Sequence, residues 1–464
     1  MINFPSDAEE FYALRDDRTN RSCGGRKYQS IACSVHLPST AASAAVAQVM
    51  LLVAANLLSR WCRRVTIVMP TAKIHPALGM GNGDLGALLL AQMRDADPFG
   101  EFQIANGNSV SSAVALCIGD SVQEKPCPAT VFVDASGWFA SISTERAIGL
   151  PPTADCNWLG AIAAACLGVA QVFKLALEMP PTLHIRDGVL DLFGLAWSEH
   201  SRQARWPASL EIGNLLMVGA GSVGSSAAYC MRLSGLAGGI TIVDNDEVKV
   251  ENFNRSPIFG RRTVGLPKAK AVANFLAGSA LSAKAVPRWW DEFLRERGRS
   301  SFDFDLWLPL ANDRGVRLSM QHNLPPLMIH ASTTSNWGVN HGRHIPGHDD
   351  CLADRFPADV TSAEMACATG QIETPETVVD AALPFASLFA GLLVVADMVR
   401  AQLPEYPQVP NFALFDFYGP LDSIHIWDRK PRVGCVCLDQ GQSLHERFNG
   451  NTRYRQLFWF DREM

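Results

Sequence analysis

The stretch NLLMVGAGSVGSSAAYCMRLSG, residues 214–235, followed by GGITIVDND, residues 238–246, decides the fold. Apolar Leu215 to Val218 run into glycines at 219, 221 and 224, and small and apolar residues then recur at helical spacing. A strand, a tight turn and a helix are predicted in that order. The next apolar run is a second strand ending in Asp244 and Asp246. Outward from this unit, PKAKAVANFLAG (267–278) reads as a helix, FDLWLPLAND (304–313) and PPLMIHAS (325–332) as strands, and FASLFAGLLVVADMVRAQL (385–403) as a late apolar helix.

The first half carries the same order. SIACSVHL (30–37), AASAAVAQVMLLVAANLLSR (41–60) and RRVTIVMP (63–70) form a strand, helix and strand. Then come strands at AVALCIG (113–119) and ATVFVDAS (129–136), a long apolar helix at WLGAIAAACLGVAQVFKLALEM (158–179) and one more strand at Val189 to Trp197. The expected fold is α/β, a tandem of doubly wound, Rossmann-like domains, in which the order of elements repeats and the residue identities do not. The boundary is expected between Glu199 and Ser209, giving domains 1–200 and 201–464.

Length and composition agree. At roughly 150 residues per domain, the 464 residues suffice for two or three cores, and 48% apolar with 19% charged residues is ordinary for a folded protein. Forty Lys+Arg against 46 Asp+Glu leave a net charge of −6, so there is no basic field for a nucleic acid. The acidic N-terminus MINFPSDAEEFYALRDDR is unlike a secretory signal, and the 12 cysteines are irregularly spaced, which together favour a reducing cytoplasm. The Ala-rich run from Thr40 to Leu58 contains Ser43, Gln48 and Asn56 and is expected in a core, so no membrane span is predicted.

The chemistry gathers after residue 218. Gly219, Gly221 and Gly224 form G-x-G-x-x-G between a strand and a helix, a turn that lets a phosphate approach the backbone and the helix N-terminus. Asp244 and Asp246 at the second strand's tip are placed for ribose hydroxyls. Asn252, Arg255 and Lys268 follow, an amide and two cations suited to a triphosphate rather than to a nicotinamide dinucleotide. Asp313, at the end of the strand FDLWLPLAND with Arg317 close behind, is placed to hold Mg2+.

The ordered set VGAGSVG, IVDNDEVKVENFNRSPIFG, VGLPKAKA and AND resembles the ATP-binding segments of the ubiquitin-activating and ThiF/MoeB family, from about Asn214 to Arg400. The resemblance implies ATP and Mg2+ as cofactors, with Asp244 and Asp246 on the ribose side and Asn252 and Arg255 on the phosphates. Lys268 would sit by the reacting α-phosphate and Asp313 would hold the metal. Arg314 departs from the family, which carries Asn after that aspartate.

The same family directs attention to RHIPGHDDCLADRFPADVTSAEMACATG, residues 343–370, within a short cysteine segment at about 335–375. It is similar to the stretch that ends at the catalytic thiol of ubiquitin-activating enzymes, and Cys367 matches the thiol, with Ala366 and Ala368 flanking it and Thr369 displaced by one. An acyl-adenylate is a mixed anhydride that a nearby thiolate can capture as a thioester. Family members often bind structural zinc with two C-x-x-C pairs. Here Cys351 stands with Asp354, and Cys435 and Cys437 form C-x-C, so three thiolates with His348 or Asp354 could close a site, but the irregular spacing favours its loss. The remaining cysteines are expected in the core.

The first half lacks the glycine turn, with PSTAASAA in its place, and its second strand ends VMPTAK without an acid. It resembles the inactive adenylation domain of two-lobed activating enzymes, which implies an arginine donated to the phosphates. Arg15, Arg18 and Arg21 lie where family members carry it, with Arg18 or Arg21 the favoured pair. The expected activity is therefore adenylation of a ubiquitin-like protein's C-terminal carboxylate, thioester formation on Cys367 and transfer to a conjugating enzyme's cysteine. The compact layout resembles activating enzymes of bacterial antiphage conjugation operons. Two alternatives stand beside it: activation of a sulfur carrier without a stable thioester, and a non-catalytic scaffold. Pairing of two chains as a homodimer is left open.

Overall fold

The computed structural model describes residues 4–107, 110–119, 125–153, 155–197, 205–207, 210–297, 303–334, 336–352, 382–403, 405, 409–422, 424–440 and 453–454. In the first half these form α1 (Ala8–Ser22), β1 (Ala32–His36), α2 (Ala45–Leu58), β2 (Arg64–Val68), α3 (Leu85–Ala96), β3 (Glu101–Ala105), β4 (Val114–Ile118), β5 (Thr130–Ser136), β6 (Phe139–Ser143), α4 (Leu159–Ala176), β7 (Gly188–Asp191) and β8 (Ala196–Trp197). The second half begins with β9 (Glu211–Val218), α5 (Ser222–Leu233), β10 (Ala237–Val243), α6 (Lys268–Leu276), β11 (Leu281–Val286), α7 (Trp290–Arg297), β12 (Leu306–Pro309) and α8 (Arg314–His322). It continues with β13 (Met328–Thr333), β14 (Gly338–His344), α9 (Pro384–Arg400), β15 (Phe412–Asp416) and β16 (His425–Trp427).

The repeat expected from the order of elements extends to the sheets. Strands run β3-β2-β1-β4-β5-β6-β7-β8 in one and β11-β10-β9-β12-β13-β14-β15-β16 in the other, the same permutation twice. In each, the first five strands are parallel and the last three antiparallel. Helices link β1 to β2 and β2 to β3, and each consecutive pair from β9 to β13, whereas among the described residues none stands between β3 and β4 or between β4 and β5. Helices packed on the sheet faces are why the inner parallel strands read as apolar runs.

Three helices are predominantly apolar on every face because they are buried all round. Every residue of α2 except Val46, every residue of α4 except Leu175, and all of α9 are buried. α9 packs on α5 and α4, and α2 on α4, so the core sits at the seam and one hydrophobic cluster runs from Phe11 to Tyr454. Polar side chains cross the same seam: Lys174 Nζ donates to the Gly419 carbonyl at 2.6 Å and Arg400 Nη1 to that of Leu192 at 3.1 Å. Among the described residues, α4 alone is long and apolar enough to cross a membrane, and it is 94% buried inside the protein.

Two local expectations need correction. Val189 to Trp197 is not one strand but a hairpin of β7 and β8, because both Asp191 carboxylate oxygens accept the amides of Phe193 (2.8 Å) and Gly194 (3.0 Å) and turn the chain. Nor are all the remaining cysteines in the core. Cys156 is exposed and Cys127 half-buried, while Cys23, Cys33, Cys62, Cys117, Cys166 and Cys230 are buried.

Candidate functional site

The strand order reverses between β9 and β12, and ligands of open α/β sheets bind beyond the strand ends at such a point. A cavity of 570 Å³ lies there, lined among others by Gly219, Gly221, Asp244, Asp246, Arg255, Lys268 and Asp313. An adjoining hollow of 370 Å³ is lined by Asn252, Arg255 and Lys268 together with Asp17, Arg18 and Arg21 of α1. Residues spread over almost a hundred positions thus share one crevice, and the first half contributes part of its wall.

The three glycines divide by role. Gly219 has φ +101°, and a Cβ there would lie 2.3 Å from the Ala311 amide nitrogen. A Cβ on Gly224 would lie 2.0 Å from the Gly219 carbonyl oxygen, so this residue packs α5 against the turn and lines neither hollow. A Cβ on Gly221 would meet nothing within 4 Å. That position caps α5 and faces the cavity, where unpaired helix N–H groups and the helix dipole favour an anion.

Asp244 ties the turn to β10. Its Oδ2 accepts the Ala220 amide at 2.6 Å and its Oδ1 that of Asp246 at 2.9 Å. Burial pushes its carboxyl up, against the pull of Lys268 and the two amides. Asp246 is exposed and pairs with Lys268, the first residue of α6, at 2.7 Å. Arg255 is nearly buried and donates from Nη1 to the Glu251 carbonyl (2.6 Å) and Asn254 Oδ1 (2.8 Å). Asn252 Oδ1 accepts the Lys249 amide at 2.9 Å.

Asp313 caps α8, accepting the Val316 amide on Oδ1 at 2.9 Å. One carboxylate with the neighbouring Asn312 amide on the same cavity wall is a donor set that fits Mg2+, which keeps most of its shell as water and substrate phosphate. Arg317 bridges strand ends, donating to the Ala311 carbonyl at 2.8 Å and that of Ala331 at 3.3 Å. Of the N-terminal arginines, Arg15 is fully buried on Asp16 (2.6 Å) and Asp97 (2.5 Å) and lines neither hollow. Arg18 lines both hollows; Arg21 lines one and pairs with Asp17 at 2.8 Å.

Cys367 and Asp354 lie outside the described residues. The sulfur atoms of Cys351, Cys435 and Cys437 lie within 4.8 Å of one another, although their spacing in sequence argued against a site. Gln321 Nε2 also donates to Cys437 Sγ at 3.2 Å. Three thiols are a donor set that fits zinc. Among the described residues no fourth donor joins the group, and His348 Nδ1 is engaged with Asp349 at 2.7 Å.

Sequence reasoning missed Arg288 and Trp289, which follow β11 and line the larger cavity. Trp290 beside them is buried against Trp307, whereas Trp289 is 63% exposed. A Trp-Trp pair at a strand tip beside an acid-tipped strand is a usable signal, but it belongs to no motif.

The ThiF family pattern matches residues 207–419, and the BilD N-terminal domain pattern matches residues 32–188. Protein y4jF of Sinorhizobium fredii is 29% identical over 275 residues, which is 58% of this chain and 51% of that protein. Human ubiquitin-like modifier-activating enzyme 7 is 30% identical over 167 residues, 33% of this chain and 15% of the enzyme. The chain thus spans about half the length of one curated relative and a small part of the other. Among solved structures, Escherichia coli MccB with ATP and MccB with MccA-N7isoAsn each give a TM-score of 0.37 at 16% identity over 48% of this chain, covering 65% and 67% of those chains. Residues 207–419 of this chain are a ThiF-family domain, and residues 32–188 a BilD N-terminal domain.

Proposed function

We propose that the chain is an ATP-dependent activating enzyme for a ubiquitin-like protein. The observation that carries this reading is the convergence of Gly221, Asp246, Arg255, Lys268 and Asp313 on one cavity inside a ThiF-family domain. The carrier's C-terminal carboxylate attacks the α-phosphorus of ATP, a P–O bond breaks, and pyrophosphate leaves as the acyl-adenylate forms. Lys268 and Arg255 offset the charge that gathers on the phosphate oxygens in the transition state, with Arg18 joining them from α1. Asn252 orients the phosphates, and Asp244 and Asp246 hold the ribose. Mg2+ held by Asp313 would supply further charge neutralisation to ATP.

The Cys367 thiolate then attacks the acyl carbonyl, AMP leaves with the bonding electron pair, and a thioester forms. A conjugating enzyme's thiolate displaces Cys367 in the next exchange. The layout fits a bacterial antiphage conjugation system in the cytoplasm. Incubation with ATP and the partner ubiquitin-like protein should give a thiol-reducible adduct on gels, absent in Cys367→Ala. A reducible adduct that survives in Cys367→Ala would move the thioester elsewhere, and exchange of pyrophosphate without any adduct would favour activation of a sulfur carrier.

Trp289 provides an optical check on where the nucleotide sits. An exposed indole on the cavity wall should be quenched as ATP binds, and Trp289→Phe should lose most of that signal. An ATP titration with identical quenching in both proteins would place the base elsewhere.

A further inference from the structure

Arg60 follows the end of α2 in the first half and is 2% exposed, yet its guanidinium is spent on one loop of the second half. Nη1 donates to the carbonyls of Phe253 at 2.7 Å and Phe259 at 3.1 Å, and Nη2 to that of Pro257 at 2.7 Å. Nε donates to Asn56 Oδ1 at 2.7 Å, and Asn56 Nδ2 donates in turn to the Pro257 carbonyl at 3.0 Å. No carboxylate is among these hydrogen-bond partners. A cation buried against carbonyls alone is costly to desolvate, and an apolar side chain of similar size would serve packing as well or better. The arrangement calls for a reason beyond stability.

The loop supplies one. From Phe253 to Gly260 it belongs to no helix or strand, so no backbone ladder sets its path. It carries Arg255 and follows directly on Asn252, the last residue of a 3-10 turn, so that both lie close to the Phe253 carbonyl that Arg60 grips. Other residues of the first half secure the same stretch and its far end: Asn254 Nδ2 donates to Thr19 Oγ1 at 3.1 Å, and just past Gly260 the Arg262 amide donates to Asp95 Oδ1 at 3.0 Å. α1, α2 and α3 thus each hold part of it.

We propose that Arg60, braced by Asn56, is a positioning residue for the phosphate end of the nucleotide site, through which the degenerate half sets the path of residues 252–260 and places Asn252 and Arg255. The proposal rests on the adenylation reading for its effect on catalysis, but its effect on the loop needs no nucleotide. An arginine is needed because one planar fork must reach three carbonyls in fixed directions, which an ammonium does with fewer bonds.

The test uses full-length Arg60→Ala, Arg60→Lys and Asn56→Ala. Without ATP, hydrogen exchange at residues 253–260 should quicken about tenfold or more in Arg60→Ala, while β9 and the middle of α2 keep their protection. In ATP–pyrophosphate exchange, kcat/KM should fall by roughly a hundredfold in Arg60→Ala, the scale expected when a catalytic group shifts by about an ångström. Added guanidinium ion, well below denaturing concentration, should restore part of it. Arg60→Lys and Asn56→Ala should fall between wild type and Arg60→Ala, and they serve as the folded variants should Arg60→Ala not fold. Unchanged loop exchange in a folded variant, or uniformly faster exchange along the chain with unchanged KM, would overturn the proposal. A wild-type protein with no pyrophosphate exchange would instead remove the adenylation reading, and the loop measurement would still decide whether Arg60 orders residues 253–260.

Discussion

Lys268→Ala should lower ATP–pyrophosphate exchange by a factor on the order of 10²–10³, the usual loss when one charge-stabilising donor is removed from a transition state. The protein should stay folded. Lys268 opens α6, whose packing is carried by Ala269, Ala271, Val272 and Leu276. Its ion pair at 2.7 Å is with an Asp246 side chain that is 60% exposed, and such pairs contribute little to stability. The loss should fall on kcat more than on KM if the ammonium acts on charge that develops during attack at phosphorus. Lys268→Arg should recover only part of it, because a planar fork does not replace a compact point charge. Thermal unfolding within a few degrees of wild type, together with the exchange rate, separates this outcome from misfolding.

The glycine turn gives the second large effect, and it divides by position. Gly219→Ala forces an L side chain to φ +101° with its Cβ 2.3 Å from a backbone nitrogen, and Gly224→Ala sets a Cβ 2.0 Å from a backbone oxygen. Neither contact is with a flexible side-chain end, so each should destabilise the second half by about 3 kcal/mol or more, in the range of severe core substitutions. Gly221→Ala differs: its φ is −72° and its Cβ would meet nothing within 4 Å. It should unfold within about 1 kcal/mol of wild type, as a strain-free surface substitution does, and yet bind ATP more weakly because the methyl enters the cavity. Denaturant midpoints and ATP affinity measured on the three variants check the pattern. Equal stability losses at all three positions would contradict the division of roles.

How much of this was legible in the sequence depends on what sets each feature. Central strands such as β1, β4 and β13, and the second half of β9 from Leu215 to Val218, are buried almost throughout, so they appear as largely apolar runs. β3, β11 and β16 lie at sheet edges. Their sequences EFQIA, LSAKAV and HIW mix polar and apolar residues, and they went unread. The G-x-G-x-x-G turn and the acids after β10 were readable because their chemistry is local. Arg60 and Trp289 were not, since their meaning comes from partners almost two hundred residues away or from a cavity wall. The three clustered thiols show the same limit: Cys351 and Cys435 are brought together by the fold, and their spacing gave no sign of it.

The first half, which lacks the glycine turn and the strand-tip acid, acquires a role from the seam. It supplies Arg18 to the cavity wall and, from Arg60 just past α2, the grip on the loop that follows Asn252 and carries Arg255. One chain would then carry both an active domain and the partner that shapes it.

The most direct measurement is exchange of labelled pyrophosphate into ATP by the full-length protein, with and without a candidate small ubiquitin-like carrier protein. The account predicts exchange that requires the carrier's C-terminal carboxylate, persists in Cys367→Ala and collapses in Lys268→Ala. Absence of exchange with the intact carrier, or exchange indifferent to Lys268, would contradict it.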